Sequence, residues 1–336
     1  MNVLKLLFRR ADKPLRRTDA EAPRLRPLEL EWHDDTTMPI VDWNAAHAKA
    51  RELHDENDLR DFWWSAAIGW LEALRAQLGD RFRIERSGSF AMLSALPDRQ
   101  TELTLRTCER YRKSILRMLE GVATSWGHGP HVVLVFEDPD QYYEYISHYY
   151  PKEGTFAMSS GVFIQSGYGH FAFVSSKMDT MEPIIAHELT HCLLAPLRLP
   201  AWVNEGTAVS MERYLCPNYI DPRNAMFDRR ENLRDRKEFW NAQTIQQFWS
   251  GKSFKRPDKG SSLSYDLATE LTRLIGRDYL RYRAFMNACD RVDAGVAAAT
   301  AHFNFSLGDL AGAVLGEGRW EPDPKAWNEG TEKGQF

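Results

Sequence analysis

Two histidines and a glutamate share one helical turn within the stretch "AHELTHCLLAPLRLPAWVNEGTA", residues 186–208. His187 and His191 are four residues apart, so a helix sets both imidazoles on one face. Two nitrogens so placed suit one tetrahedral zinc, each ~2 Å from the metal. Glu188 points off the line of the two rings. It flanks the metal, where it could hold a water and take its proton. A zinc that does chemistry needs a third protein ligand and one open position. Glu205 follows His191 by fourteen residues. Pro200 suits a helix start, which puts Glu205 about one turn into the next helix. The turn "APLRLP" is long enough to send that helix back antiparallel to the first. The offset is what a helix–turn–helix needs to return a carboxylate to the two histidines. Cys192 neighbours His191 but points roughly 100° away on the helix, into the core.

The elements that must position these groups can be read from apolar spacing. Residues 41–79 recur at helical period (Trp43, Ala46, Ala50, Leu53, then Trp63, Ala67, Trp70, Leu71, Leu74) and stop at Gly79-Asp80. A short strand "RFRIE" follows, then an amphipathic helix over 100–120. "HVVLVFE" (131–137) is β-branched and bounded by turn residues, the mark of a buried strand. "QYYEYISHYY" reads as a helix that presents tyrosines to a core. "GVFIQSGYGHFAFVSS" (161–176) reads as two strands around Ser166-Gly167-Tyr168-Gly169, a hairpin or sheet edge. The histidine helix spans about 181–195 and the glutamate helix about 200–215. Residues 216–260 look polar and irregular, a long segment suited to a flap over the cleft. They hold one small helix, with Thr244 and Gln247 as a capping box. Helices near 262–275 and 277–290 follow. The division expected is a loosely ordered segment 1–40, a helical extension 41–80, a subdomain 81–199 with the histidine helix, a helical subdomain 200–316 with Glu205, and a polar tail 317–336.

Bulk properties exclude several classes. The chain has 336 residues, 43% hydrophobic, enough for a sizeable core. A net charge of −4 gives no global basic field for nucleic acid. The four cysteines, Cys108, Cys192, Cys216 and Cys289, are scattered without a CxxC, which fits a reducing compartment. No apolar run reaches the ~18 residues of a membrane span. The start, "MNVLKLLFRR", lacks the layout of a signal peptide. A cytoplasmic location is expected. "VLKLLFRR" is the one segment with a membrane-surface reading.

"HELTH" followed by "LPAWVNEGTA" resembles the gluzincin metallopeptidases, the thermolysin-like branch of the zincins, and among them the compact bacterial peptidase-MA-like domains. The likeness is strong over 183–208 and looser over about 81–290. It implies an α+β zincin-like domain: a small mixed sheet whose exposed edge strand packs on the HExxH helix, then a mainly helical C-terminal part. It implies one Zn2+ per chain held by His187, His191 and Glu205, Glu188 as general base, and a peptide or protein as substrate. In similar proteins a serine-tyrosine pair lies in the helix after the glutamate helix. "SSLSYDLATELTRLIG" carries one, making Tyr265 the candidate donor to the reaction's oxyanion; the alternative is a core tyrosine satisfied locally. His170 is the next candidate for that role. The chain departs from the family where thermolysin-type enzymes keep an aspartate four residues after the glutamate ligand: Val209 stands there, and Glu212 is the substitute within reach. The "GAMEN" motif of exopeptidase relatives is absent. Two other functions fit the same residues: a non-catalytic zinc-stabilised binding module, and a zinc hydrolase of a non-peptide amide.

Overall fold

A computed structural model describes residues 22–33, 36, 38–150, 161–219 and 229–327. The fold is mixed α+β, with many helices around a small five-stranded mixed sheet of order β1-β2-β3-β5-β4. β1 (Arg83–Ser87) and β2 (Phe90–Ser94) form an antiparallel hairpin. β2, β3 (His131–Phe136) and β5 (His170–Val174) run parallel. β4 (Gly161–Ile164) lies antiparallel to β5 at the sheet's edge, with Phe163 opposite Phe171.

Alternate residues of these strands feed two cores, as the period of two requires. Phe90, Met92, Val133, Val135, Phe171 and Phe173 face one way. They meet α3 (Asp98–Met118) and α5 (Met178–Leu194), the histidine helix. Ala91, Leu93, Val132, Leu134, Phe136 and Ala172 face the other way. They are covered by α2 (Glu56–Leu78), α1 (Trp43–Ala50) and α4 (Pro139–Ser147). Residues 41–80, expected as an extension, therefore form one layer of the fold. Residues 22–33 run along that layer: the Arg24 and Arg26 N–H groups donate to Asp61 and Ser65 at 3.0 Å. This part of the expected loose segment is docked. Its first 21 residues lie outside those described.

After α5 the chain turns into α6 (Ala201–Leu215), the glutamate helix. α7 (Arg229–Phe239), α8 (Thr244–Trp249), α9 (Lys259–Ile275), α10 (Tyr279–Ala288), α11 (Val296–His302), α12 (Leu307–Leu315) and α13 (Pro324–Trp327) complete the chain. Their buried side chains continue the first core without a break, so 81–199 and 200–316 share one interior.

Three expectations change. The segment 216–260 is not a flap throughout, because Trp240, Ile245, Phe248 and Trp249 are buried in the main core; residues 220–228 lie outside those described. α8 is not started by a Thr244 capping box. The Asn241 Oδ1 accepts the N–H groups of Gln243 and Thr244 at 2.9 and 3.0 Å instead. The polar tail is tied down as far as residue 327. The Trp249 indole donates to the Trp320 carbonyl at 2.7 Å, and Gln246 bonds the Glu321 carbonyl, the Asp323 N–H and the Trp327 indole.

Among the described residues no helix is long and apolar enough to cross a membrane.

Two histidines are built into these cores as neutral rings. His170 takes the Tyr145 hydroxyl on Nε2 and donates Nδ1–H to the Tyr168 carbonyl, both at 2.6 Å. Burial pushes its pKa down to about 4. Burial, then the Arg112 charge, does the same to His131, also to about 4. An unfolded chain binds a proton on each ring below about pH 6.5, and the folded chain does not until about pH 4. Stability is therefore full above pH 6.5 and falls as pH drops towards 4, by about 1.4 kcal/mol per pH unit per histidine. Urea titrations from pH 7 to 4 should show this, and His170→Gln should flatten the slope by one histidine's share. Parallel profiles for the two proteins would overturn the assignment.

Candidate metal centre

α5 and α6 form the antiparallel pair on which the site stands. Pro200 caps α6 in an extended conformation (φ −59°, ψ 149°), and a short turn links the helices. On α5 the imidazoles of His187 and His191 lie side by side, ring centroids 4.8 Å apart and planes at 77°. Glu205, on α6, reaches between them: its Oε2 is 3.4 Å from the Nε2 of His187 and 3.4 Å from the Nε2 of His191. Among the described residues these three side chains form the one group that could hold a metal ion.

The spacing is wider than that of a tight ion pair and is compatible with a metal between the three groups. A charge-assisted hydrogen bond closes to ~2.7–2.9 Å. Ligand atoms ~2.0–2.1 Å from a tetrahedral zinc lie ~3.4 Å from one another. The Glu205 Oε2 is sealed from solvent and accepts no hydrogen bond of acceptable geometry. An orphaned buried carboxylate oxygen is costly. A dication between the three atoms satisfies the oxygen and both nitrogens at once. Two imidazoles and one carboxylate are a donor set that zinc accepts. The residues therefore fit the ion that the sequence implies.

Around the three stand groups that orient them. The Nδ1 of His187 lies 3.2 Å from the Glu212 Oε2, two turns along α6 from Glu205. This fixes the tautomer and aims Nε2 at the site. The sequence placed Glu212 within reach, and the structure brings it to the ring. The Nδ1 of His191, a donor when Nε2 is a ligand, and the Oδ1 of Asn204, an acceptor, are both buried without a partner.

Burial alone would lower the His187 pKa, but Glu205, Glu212 and Glu188 outweigh it and raise it to about 10. Burial would raise the Glu205 pKa, but the two histidines hold it well below the usual carboxylate range. His191 is raised, chiefly by Glu205 acting against burial. These carboxylates thus favour positive charge at the centre.

Glu188 is buried on the sheet side of α5. Burial raises its pKa, against the pull of His187 and His191. Its carboxylate accepts a backbone hydrogen bond from Phe163, on edge strand β4. The expected edge strand beside the histidine helix is there, and it runs alongside α5 in the same direction. A side chain at Gly161 would strike Ile184, Phe163 meets Glu188, and the Gln165 amide donates to the Ala195 carbonyl at 3.0 Å.

α9 closes the far side. Gly206, next to Glu205, lets it approach: a Cβ there would collide with the Ala268 carbonyl. This is the physical need behind the glycine of "NEG". The close crossing brings Tyr265 to the site, its ring 6.5 Å from that of His187 and edge-on to Phe254 at 5.2 Å.

His170 does not join them. It faces the second core among Tyr145, Tyr149 and Trp70, across the sheet from α5, so it is no oxyanion donor. Cys192 also points away, its Sγ 3.4 Å from the His131 Nδ1. Sequence reasoning missed Tyr150. Its pKa is pushed up to about 12, first by burial and then by the charge of Glu188, which puts its hydroxyl in the field of that carboxylate. Nothing in "QYYEYISHYY" separates Tyr150 from the tyrosines that only fill the core.

No family model matches this chain, and no curated protein or solved structure matches it.

The geometry predicts metal content directly. His187→Ala and His191→Ala should each abolish stoichiometric zinc by elemental analysis, and full occupancy in both sinks the site. Glu212→Gln should keep the fold and weaken zinc about 10- to 100-fold in competition with a chromophoric chelator, the usual effect of losing a partner that orients a ligand.

Proposed function

We propose that this chain is a zinc-dependent metallopeptidase of gluzincin type, with a zincin-like fold. The observation that carries the reading is the Glu205 oxygen held 3.4 Å from both histidine nitrogens, with a buried carboxylate, Glu188, on the same helix turn. His187, His191 and Glu205 would hold the metal. When bound, zinc supplies a Lewis acid that acidifies water and polarises a carbonyl.

The chain's own residues do the rest. Glu188 takes the proton of the attacking water and returns it to the leaving amine. Its raised pKa suits a group that must hold a proton between those two events. Tyr265 donates its hydroxyl to the carbonyl oxygen as negative charge develops there. Among the described residues β4 has a strand neighbour on one side only, so an extended peptide would lie along its outer edge. That edge favours a peptide over a compact amide. Glu188 speaks against a purely structural zinc module, because such a site has no use for a buried carboxylate beside the ligands.

Hydrolysis of a denatured protein mixture, stopped by a chelator and restored by zinc, is the direct test. Glu188→Gln is nearly isosteric and cannot accept the proton, so it should keep zinc and lose turnover; near wild-type cleavage removes Glu188 as the base. Tyr265→Phe should lower kcat roughly 10²-fold with KM little changed, because the bond strengthens only in the transition state. If Tyr265 serves packing alone, the same change lowers the melting point and leaves kcat intact.

A further inference from the structure

A cavity of about 60 Å³ lies between α6, α9 and α10, with Leu119 also in its wall. Thr207, Ser210 and Met211 line it from α6, two, five and six residues after Glu205. They stand about 140–240° round the helix from that residue. The cavity is therefore on the face of α6 opposite the candidate metal centre.

The hydroxyl donors in its wall are already spent. Thr207, Ser210, Thr269 and Thr272 each turn a hydroxyl back to the carbonyl four residues earlier, at 2.6, 2.7, 2.7 and 2.9 Å. With the Thr207 proton so committed, the Tyr282 hydroxyl donates to the Thr207 Oγ1 at 2.7 Å. The Tyr279 hydroxyl donates to the Glu120 carbonyl at 2.8 Å. The surface facing the cavity is accordingly almost all carbon. A water there finds no hydroxyl proton to accept, so an apolar group fills the space better. Charge enters only at two arginines. The Glu270 Oε2 accepts from the Nε and Nη2 of Arg273 at 3.0 and 2.7 Å. Arg213 is exposed and makes no ion pair with a described residue. Among the described residues no carboxylate lines the cavity.

We propose that this cavity binds a short-chain aliphatic carboxylate, with the alkyl group inside and the carboxylate on Arg213. The volume sets the tail. It exceeds the ~10–15 Å³ that one water needs and falls well short of the ~150 Å³ cavity that admits a benzene ring, so a chain of about four carbons suits it better than a ring. The wall sets the polarity of the tail, because carbon surface there gains by covering carbon. The rim sets the head group, because a guanidinium without a partner takes a carboxylate through charge-assisted hydrogen bonds. The site goes beyond the metallopeptidase reading and stands or falls without it. Its ligand braces α6 against α9, the two helices that carry Glu205 and Tyr265.

The test is calorimetric titration of the full chain, its metal content recorded, with isovalerate, isovaleramide and acetate. Isovalerate should bind about 10-fold more tightly than isovaleramide, which offers the same tail without the charge. It should bind about 10- to 100-fold more tightly than acetate, which lacks three of its carbons. Arg213→Gln, at an exposed position, should bring isovalerate within about threefold of the amide. Ser210→Leu fills the cavity from α6 and should abolish binding of isovalerate and amide alike, with a melting curve as the check on folding. If that variant fails to fold, Arg213→Gln and the acetate comparison still decide. Equal binding of isovalerate and acetate, or isovalerate binding that survives both substitutions as a carboxylate on a metal would, overturns the cavity site. So does the absence of isovalerate binding. None of these outcomes bears on His187, His191 and Glu205, whose own test is metal content.

Discussion

The site depends on one carboxylate oxygen that no proton donor satisfies. The Glu205 Oε2 sits out of water, 3.4 Å from two imidazole nitrogens and hydrogen-bonded to nothing. Left so, it is an expense that most folds avoid. Relaxation could bring the nitrogens in to hydrogen-bond distance, but their helix is fixed. α5 is buried along the face it lays on the sheet, through Met181, Ile185 and Leu189. α6 is fixed in turn by α9, which crosses it where Gly206 has no side chain. Two rigid helices hold the Glu205 oxygen from each imidazole nitrogen by about the edge of a zinc tetrahedron. Preorganisation of this kind makes an ion's binding energy available at little cost in rearrangement.

The antiparallel course of the two helices explains how one strip of α6 serves several roles. Moving towards its C-terminus means moving towards the N-terminus of α5. Glu205 meets His191 and His187, and Glu212, two turns on, meets the outer nitrogen of His187. Cys216 comes next, near the Tyr111 hydroxyl that bonds Glu182, at 3.3 and 3.0 Å. A carboxylate at 209 would share the strip only one turn from Glu205, but Val209 is buried there instead. The orienting group has moved one further turn, to the level of His187.

How much could be read from the sequence follows from the range of the interactions. The His187–Glu188–His191 turn and the return of Glu205 were legible, because helix period and a short turn fix them locally. β4 and β5 were legible from the glycine-bounded hairpin between them. β2 was missed: "FAMLS" is buried at every position and shows no alternation. The docked tail was missed because Trp320 and Trp327 stand among charges, and the Gln246 side chain that binds it lies more than seventy residues away. The flap was misread because a polar average over 216–260 hid four buried aromatic and aliphatic side chains. The anchoring of Trp126 was invisible for the same reason as the tail: its partner, the Cys192 carbonyl, is set by tertiary packing alone.

The histidines show why residue type could not separate chemistry from structure. His170 has both nitrogens satisfied within the protein, one by a hydroxyl and one by a carbonyl, and is neutral. Nothing remains for a ligand, and the ring's work is mechanical. It links Tyr145 on α4 to Tyr168 in the turn, and Tyr168 links onward to the Pro130 carbonyl at 2.7 Å. That chain of bonds pins the β4–β5 hairpin and so holds the edge strand beside Glu188. His187 has one nitrogen satisfied by Glu212 and the other 3.4 Å from an oxygen with which it makes no hydrogen bond of acceptable geometry. His191 has no partner on its buried Nδ1, and its Nε2 lies 3.4 Å from the Glu205 Oε2. A buried imidazole with a nitrogen to spare, facing another of its kind and an orphaned carboxylate, is an arrangement that could hold a metal ion. The count of unsatisfied nitrogens, which only the fold reveals, is the physical quantity that distinguishes a ligand from a strut.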